Sequence, residues 1–406
     1  MNDLENTKLN TASAEFFIWV FFILASFWII SKSFQDYGSP LSKLILFSLL
    51  FILLALIYCF NKKFNLKNVS PSSLNIASGV VILFIVAILF SFVPKYLPEI
   101  SNPAKVDVGY DTYDALKSLL NKNDPYKNLK IGAIGQDSRL WGYHYGSIML
   151  LFYAPSLLFY TSSGIKFMNL YYLIALVILI SCLVYNKNNS KSANIFFISF
   201  SILVLLLPEK LWYESFISGT TDIFPLLLLL LSIPFIIKKS WFLSGLLIGL
   251  SISSKFAPAL FFAFLLIRKK INFSLFYGLF AGILPVILTL LLSSNAYNSM
   301  IIFHMVKPFD SSSLYSLVPS EFHFIFPLIA ILSLILFILI DFKKDIDEKS
   351  LIFSFAFLLI IIELSYKELH ANHLLWFFPL IAYIFGAYIF QNKQELNSPV
   401  SHKYNE

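Results

Sequence analysis

The chain has 406 residues, of which 58% are hydrophobic and only 13% charged, with 30 Lys and Arg against 23 Asp and Glu for a formal charge of +7. Soluble domains carry about 25% charged residues, so this composition excludes a water-soluble globular fold. It does not mark a nucleic-acid binder either, because the lysines sit in short clusters between apolar runs rather than along one polar face.

Apolar runs recur along the whole chain, and a helix of about 20 residues spans a bilayer core of about 30 Å. In hydrocarbon every backbone polar group needs a partner, and runs without alternation exclude a barrel. The expected fold is therefore an all-α integral membrane protein: one polytopic helical bundle of about 12 membrane elements over 1–406. Met1 to Glu15 is polar and acidic, and the run 16–31 after it reads as a retained helix that pairs with 41–60 as an N-terminal hairpin. Lys62, Lys63 and Lys67 then mark a cytoplasmic loop. The span 75–94 leads outward, so 94–141 is expected to be a long outer loop and 142–390 to hold the remaining helices. These are read at 143–160, 166–185, 194–207, 221–237, 241–267, 273–293, 322–340, 350–364 and 371–390. Arg268-Lys269-Lys270, Lys343-Lys344 and the polar tail 391–406 are expected in the cytoplasm, with both termini inside. Cys59 and Cys182 lie in apolar runs with no metal spacing and read as small buried residues.

Simple alternation puts Lys187, Lys191, Lys238 and Lys239 on the outer face, against the charge bias. The preferred arrangement has 143–160 dipping into the membrane and returning, and 241–267 splitting near Ser253 to Pro258. Ser-Ser-Lys-Phe-Ala-Pro is a poor interior for a lipid-facing helix, since Pro removes a backbone bond and a mid-span Lys is costly. All four lysines then fall inside, and Lys255 and the stretch from Glu209 to Asp222 fall outside.

Within the outer loop, VDVGYDTYDALKSLLNKNDPY from Val106 to Tyr126 spaces Tyr113, Leu116, Leu119 and Leu120 as one apolar helix face, with Lys117 and Asn121 opposite. A short amphipathic helix on the membrane surface, ended by Asp124-Pro125, is expected. Asp111 and Asp114 are spaced as an N-cap and its acidic N3 residue, which accounts for both. Asp107 precedes that cap and is left as the candidate catalytic carboxylate, with Asp111 as its rival. Beyond the helix come Arg139 and the aromatic stretch Trp141-Gly142-Tyr143-His144-Tyr145. An interfacial belt explains any one of these rings, but a carboxylate, an Arg, a His and several ring faces on one loop exceed what a belt requires.

Three further clusters are expected on the same side. One runs Glu209-Lys210-Leu211-Trp212-Tyr213-Glu214 and then Gly219-Thr220-Thr221-Asp222; another is His304 to Asp310; the third is Tyr366 to His373. Ionisable groups beside apolar spans are costly and usually functional. Asp222 has a helix cap as its plain alternative, and Lys255 a snorkelling role. Glu368, His370 and His373 have spacing a metal can use, yet a membrane-boundary His-x-x-His is more often hydrogen-bonded surface. No metal or other cofactor is therefore expected.

At these residues the chain resembles the GT-C superfamily of polytopic glycosyltransferases, and within it the branch that uses polyprenyl-phosphate sugars and includes family GT87. The likeness rests on Asp107, Tyr113 and Asn123 to Tyr126; on Tyr143-His144-Tyr145 before a span holding Pro155; on Gly219 to Asp222 followed by GLLIGLSISSKFAPAL from Gly245 to Leu260; and on HANHLLWFFP from His370 to Pro379. It covers roughly 75–390. Two departures stand out: Gly146-Ser147 occupies the place of the family's Pro-Pro, and the interval from Asp107 to Pro125 is one residue longer than the family's.

The resemblance implies an inverting hexosyltransferase of the cell membrane, such as a mannosyltransferase, with its site on the outer face. Asp107 or Asp111 would be the general base. Arg139, Lys255 and His370 would meet the departing lipid phosphate, and Tyr143, Tyr145, Trp212 and Asp222 would bind sugar. Its partners would be a polyprenyl-phosphate-linked sugar donor, a lipid, glycan or protein acceptor, and membrane lipids. A transporter or flippase of lipid-linked saccharides and a non-catalytic membrane subunit are the competing classes. A transporter would leave a repeated half and mid-span charges, and neither is visible.

Overall fold

The computed structural model describes residues 69–127, 141–256 except 188, 273–306, 314–343 and 376–384, with isolated positions between them. The N-terminal hairpin, Arg139, the clusters 307–313 and 366–373 including His370, and the C-terminal tail lie outside the described residues. Every regular element among the described residues is helical and no strand occurs there. Three helices are long and apolar enough to cross a membrane, and a bent pair makes a fourth; the full set of about 12 elements expected from hydropathy is not confirmed.

The first described helix, α1 (Pro71–Tyr96), opens where Ser70 accepts a hydrogen bond from the Ser73 amide at 3.1 Å with Pro at the first helical position. After a single 3-10 turn, Pro98–Ser101, comes α2 (Asp107–Leu120). The run expected at 143–160 forms only α3 (Ser147–Tyr153) and a 3-10 continuation, Ala154–Leu158. It does not cross the bundle, because both its ends return to one segment: the Tyr143 hydroxyl lies 3.2 Å from that of Thr112, and the Tyr113 hydroxyl donates to the Phe159 carbonyl.

Helix α4 (Ser163–Val184) crosses the bundle and α5 (Lys191–Leu206) returns, bending by 62° into α6 (Glu209–Tyr213) and a π-helical turn, Glu214–Ser218. Next come α7 (Ile223–Ile237) and α8 (Trp241–Ser254). They run antiparallel, since the Ser251 hydroxyl donates to the Pro225 carbonyl at 2.6 Å. Helix α8 ends where Lys255 takes an extended backbone conformation, so 241–267 is split at the expected place. Beyond it stand α9 (Phe273–Leu292), α10 (Ser294–Tyr297), a π turn over Asn298–Ile302, α11 (Phe303–Val306), α12 (Ile325–Lys343) and α13 (Phe377–Tyr383).

Helices α8 and α9 cross through glycine. A Cβ on Gly245 or Gly249 would overlap the Leu275 or Leu279 carbonyl oxygen, and one on Gly278 or Gly282 would overlap that of Phe242 or Leu246. Close backbone approach of this kind replaces the hydrophobic effect as the adhesive between helices in lipid. Residues 242 and 246 pair with 278 and 282 in rising order, so the two helices are parallel.

The bundle therefore has two distinct ends. Residues 96–127, 143–146, 159–166, 206–222, 253–256 and 293–306 gather at one, which we call the loop end. Lys187, Lys191, Lys238 and Lys239 lie at the other, as the arrangement with a dipping 143–160 and a split 241–267 requires.

Candidate functional site

At the loop end the start of α7 meets the end of α8. Asp222, 1% exposed, accepts a hydrogen bond from the Lys255 ammonium at 2.6 Å and another from the Trp376 indole N–H at 3.1 Å, both on Oδ1. The same ammonium lies 4.8 Å from the centre of the Tyr145 ring. Only 11% of the Lys255 side chain is exposed. A desolvated pair of this kind is poor evidence of stabilisation, because the cost of removing two charges from water offsets their attraction. Its presence is better explained by what it can bind.

The sequence places this pair deliberately. Gly219 adopts φ +79°, in the region L side chains avoid, and closes the π turn by donating from its amide to the Glu214 carbonyl at 2.8 Å. The chain then reverses into α7 with Asp222 at its N-cap position. On the other side, Gly146 rests on the C-terminus of α8: its amide donates to the Ser254 carbonyl at 3.3 Å, and a Cβ would overlap the Ser253 carbonyl oxygen. A backbone contact that excludes any Cβ is the physical reason for Gly at 146.

Helix α2 closes the site from above. The Lys105 and Val106 amides donate to the Ser218 carbonyl at 3.2 and 3.3 Å, and Gly109 abuts Gly219 so closely that a Cβ would overlap its carbonyl oxygen. The Tyr145 hydroxyl is held well above the ordinary tyrosine range, first by burial and then by the negative charges of Asp107, Asp222 and Asp111. Tyr145 stays protonated, able to donate a hydrogen bond, with the Lys255 ammonium over its ring.

The helix itself differs from expectation. It begins at Asp107, three residues before Tyr110, with Val106 as its N-cap residue, so Asp111 and Asp114 are not a cap and its partner. Asp107 occupies the first turn, where a carboxylate favours the helix dipole, and its Oδ1 accepts from the Val108 amide at 2.7 Å. Asp107 is exposed, whereas Asp111 and Asp114 are 4% and 3% exposed. The buried face carries Asp111, Thr112, Asp114 and Ser118 beside Tyr113 and Leu116, and Leu119 and Leu120 are exposed. The expected apolar stripe holds only in part: Tyr113 and Leu116 join the buried core, while Leu119 and Leu120 fall outside it and Asp111, Thr112, Asp114 and Ser118 share the buried face. Asp114 Oδ2 meets no hydrogen-bond donor among the described residues, and burial pushes its carboxyl up to about 6.

The other candidates separate. Tyr143 is fully buried, with its ring edge-on to Tyr145 at 5.5 Å and its hydroxyl near Thr112. Trp212 belongs to a different cluster: its indole donates to the Leu206 carbonyl at 2.8 Å and its ring packs against Phe92, Tyr96 and Phe216. Arg139 and His370 lie outside the described residues. Among those described, no group of three or more His, Cys, Asp or Glu side chains converges as a metal set.

Two contributors escaped sequence reasoning. Trp376 was visible inside the HANHLLW motif, yet nothing in the sequence paired its indole with Asp222. Asp124 read as a helix stop; its Oδ2 also accepts from Asn295 at 2.9 Å and Ser293 at 3.2 Å, tying the segment after α2 to the end of α9.

Residues 143–340 match the family model of glycosyltransferase family 87. The resemblance drawn from the motifs is borne out by this match, which spans just under half of the chain, and family 87 indicates a glycosyltransferase with a sugar donor and an acceptor. Tyr143, Tyr145, Trp212, Asp222 and Lys255 fall inside the family 87 segment; Asp107 and Asp111 precede it, and Trp376 follows it. No curated protein and no solved structure matches the chain.

Proposed function

We propose that the chain transfers a hexose from a polyprenyl-phosphate donor to an acceptor hydroxyl at the outer face of a cell membrane, with inversion at the anomeric carbon. The observation that carries this reading is the Lys255–Asp222 pair, desolvated beneath Tyr145 at the end of the bundle where α2 presents Asp107. The acceptor oxygen attacks the anomeric carbon as its proton passes to a carboxylate, and the bond from that carbon to the phosphate oxygen breaks. Lys255 stabilises the negative charge of the departing lipid phosphate, where preorganised donors in a dry site act most strongly. Asp222, with Trp376 behind it, aims that ammonium, and Tyr145 donates to the sugar or the phosphate.

Asp107 is the general base in this reading and Asp111 the second candidate. The exposure of Asp107 supports the order, because an acceptor must reach the base from solvent, and Asp111 is 4% exposed. Arg139 and His370 are proposed to complete the phosphate site. Tyr143 and Trp212 are proposed to shape the sugar site.

The test uses purified full-length chain in vesicles with a panel of polyprenyl-phosphate hexoses. Lys255→Ala is expected to lower transfer about 100- to 1,000-fold, and Asp107→Asn about 100- to 10,000-fold. Full transfer by Asp107→Asn with loss in Asp111→Asn would reverse the order of the two bases. Full transfer by Lys255→Ala would remove the basis of the reading.

A further inference from the structure

Helix α4 crosses the bundle yet buries a row of polar side chains on one face. Lys166, Asn169 and Tyr172 recur every third residue; Lys166 and Asn169 have no exposed surface and Tyr172 has 4%. Polar groups inside a membrane helix are retained where each has a partner, and these do. Lys166 donates to the Glu99 carbonyl at 3.0 Å and Tyr172 to the Phe152 carbonyl at 2.6 Å.

Asn169 does the most. Its amide nitrogen donates to the Thr220 carbonyl at 2.7 Å and to the Ser215 carbonyl at 3.0 Å, while its amide oxygen accepts from the Tyr153 hydroxyl at 2.7 Å. One side chain thus ties α4 to the dipping helix α3 and to both ends of the turn that delivers Asp222. Thr220 stands two residues before Asp222, and its amide and that of Gly219 both return to the Glu214 carbonyl. The turn is held from within by Glu214 and from outside by Asn169. The two carbonyls fix the amide's orientation, since a flipped amide would set its oxygen against both, and the Tyr153 hydroxyl then donates to the amide oxygen.

We infer that Asn169 is the positioning residue for Asp222: through the Thr220 carbonyl it sets where the carboxylate stands, and so where Lys255 is aimed. The inference rests on the proposed role of the Asp222–Lys255 pair. Sub-ångström placement matters there because a charge aimed at a departing phosphate loses most of its effect when displaced.

The experiment is a double-mutant cycle on full-length chain in vesicles, reading sugar transfer together with thermal stability. Asn169→Leu is expected to lower kcat about 10- to 100-fold with KM for the acceptor unchanged. In an Asp222→Asn background the same change is expected to cost less than about two-fold, because the residue it positions is already disabled. Effects that multiply in the double variant would overturn the inference and leave the reading of Asp222 standing. Full activity of Asp222→Asn alone would overturn that reading, and the inference with it. If Asn169→Leu does not accumulate, Tyr153→Phe carries the same cycle: it leaves both carbonyl contacts in place but removes the Tyr153 hydrogen bond to the amide oxygen, with an expected loss of about two- to five-fold that vanishes with Asp222→Asn. Undiminished activity in Tyr153→Phe would count against the inference equally.

Discussion

Helices α4 and α9 are both long enough to cross a membrane, and they are held in the bundle by opposite means. Along α9, Gly278 and Gly282 bring its backbone onto that of α8, leaving no room for a Cβ on either side. Along α4, Lys166, Asn169 and Tyr172 reach out to carbonyls of three separate segments. Neither can use the hydrophobic effect, because lipid is as apolar as a leucine core. The glycine seam sets a distance between two helices and says little about side chains. The polar row fixes irregular backbone, the strap at 99, the dip at 152 and the turn at 220, and that backbone carries the candidate site.

The contrast predicts different kinds of damage. The largest effect is expected at the seam: Gly282→Leu places a side chain where the Leu246 carbonyl stands, in backbone that cannot yield, and should abolish accumulation of monodisperse protein in detergent extracts. A smaller loss is expected from Lys166→Met, which keeps the volume and removes the charge. Replacing a buried charge by a fitting apolar chain is often neutral for stability, so yield should hold while transfer falls by less than about ten-fold as the strap near Glu99 loosens. If Lys166→Met lost as much protein as Gly282→Leu, the division between spacing and placement would fail.

The smallest effect concerns Asp114, buried on α2 with its carboxyl raised from the ordinary 3.8 to about 6. A carboxyl raised on folding favours the protonated form, so its stabilising contribution is full below about 4 and is lost as pH rises through about 6. Asp114→Asn should therefore melt higher than the parent at pH 7.5 and lack the parent's decline across that window. A parent melting curve that is flat from pH 4 to 7 would show that Asp114 does not couple to folding.

How much of this was readable beforehand differs by region. The break after Ser254 was legible, because Lys and Pro both resist the middle of a lipid-facing helix. That Lys187, Lys191, Lys238 and Lys239 lie at the end opposite α2 followed from the charge bias. Helix α2 was legible as a helix but not in its phase. Its start at Asp107 depends on Val106 and Lys105 being held by the Ser218 carbonyl, a contact with a segment more than a hundred residues away. Local cap rules therefore assigned Asp111 and Asp114 to a cap that the tertiary contact moved.

Motif reading reached Asp222, Lys255 and Tyr145 as separate residues, and only the fold joined them. Asn169 gave no signal, since a lone Asn in an apolar run looks like any tolerated polar residue until its three partners are known. Trp376 had its motif and lacked its partner.

By itself the sequence determined the solvent of the fold, the helical class, the split in 241–267 and the family resemblance. Each depends on composition or on residues near one another in the chain, and lipid leaves few choices once apolar runs are long. Tertiary structure decided where α2 begins, why Gly stands at 146, and which carboxylate meets the Lys255 ammonium. Those outcomes turn on hydrogen bonds and backbone contacts between segments far apart in sequence, whose energy exists only after the helices have packed.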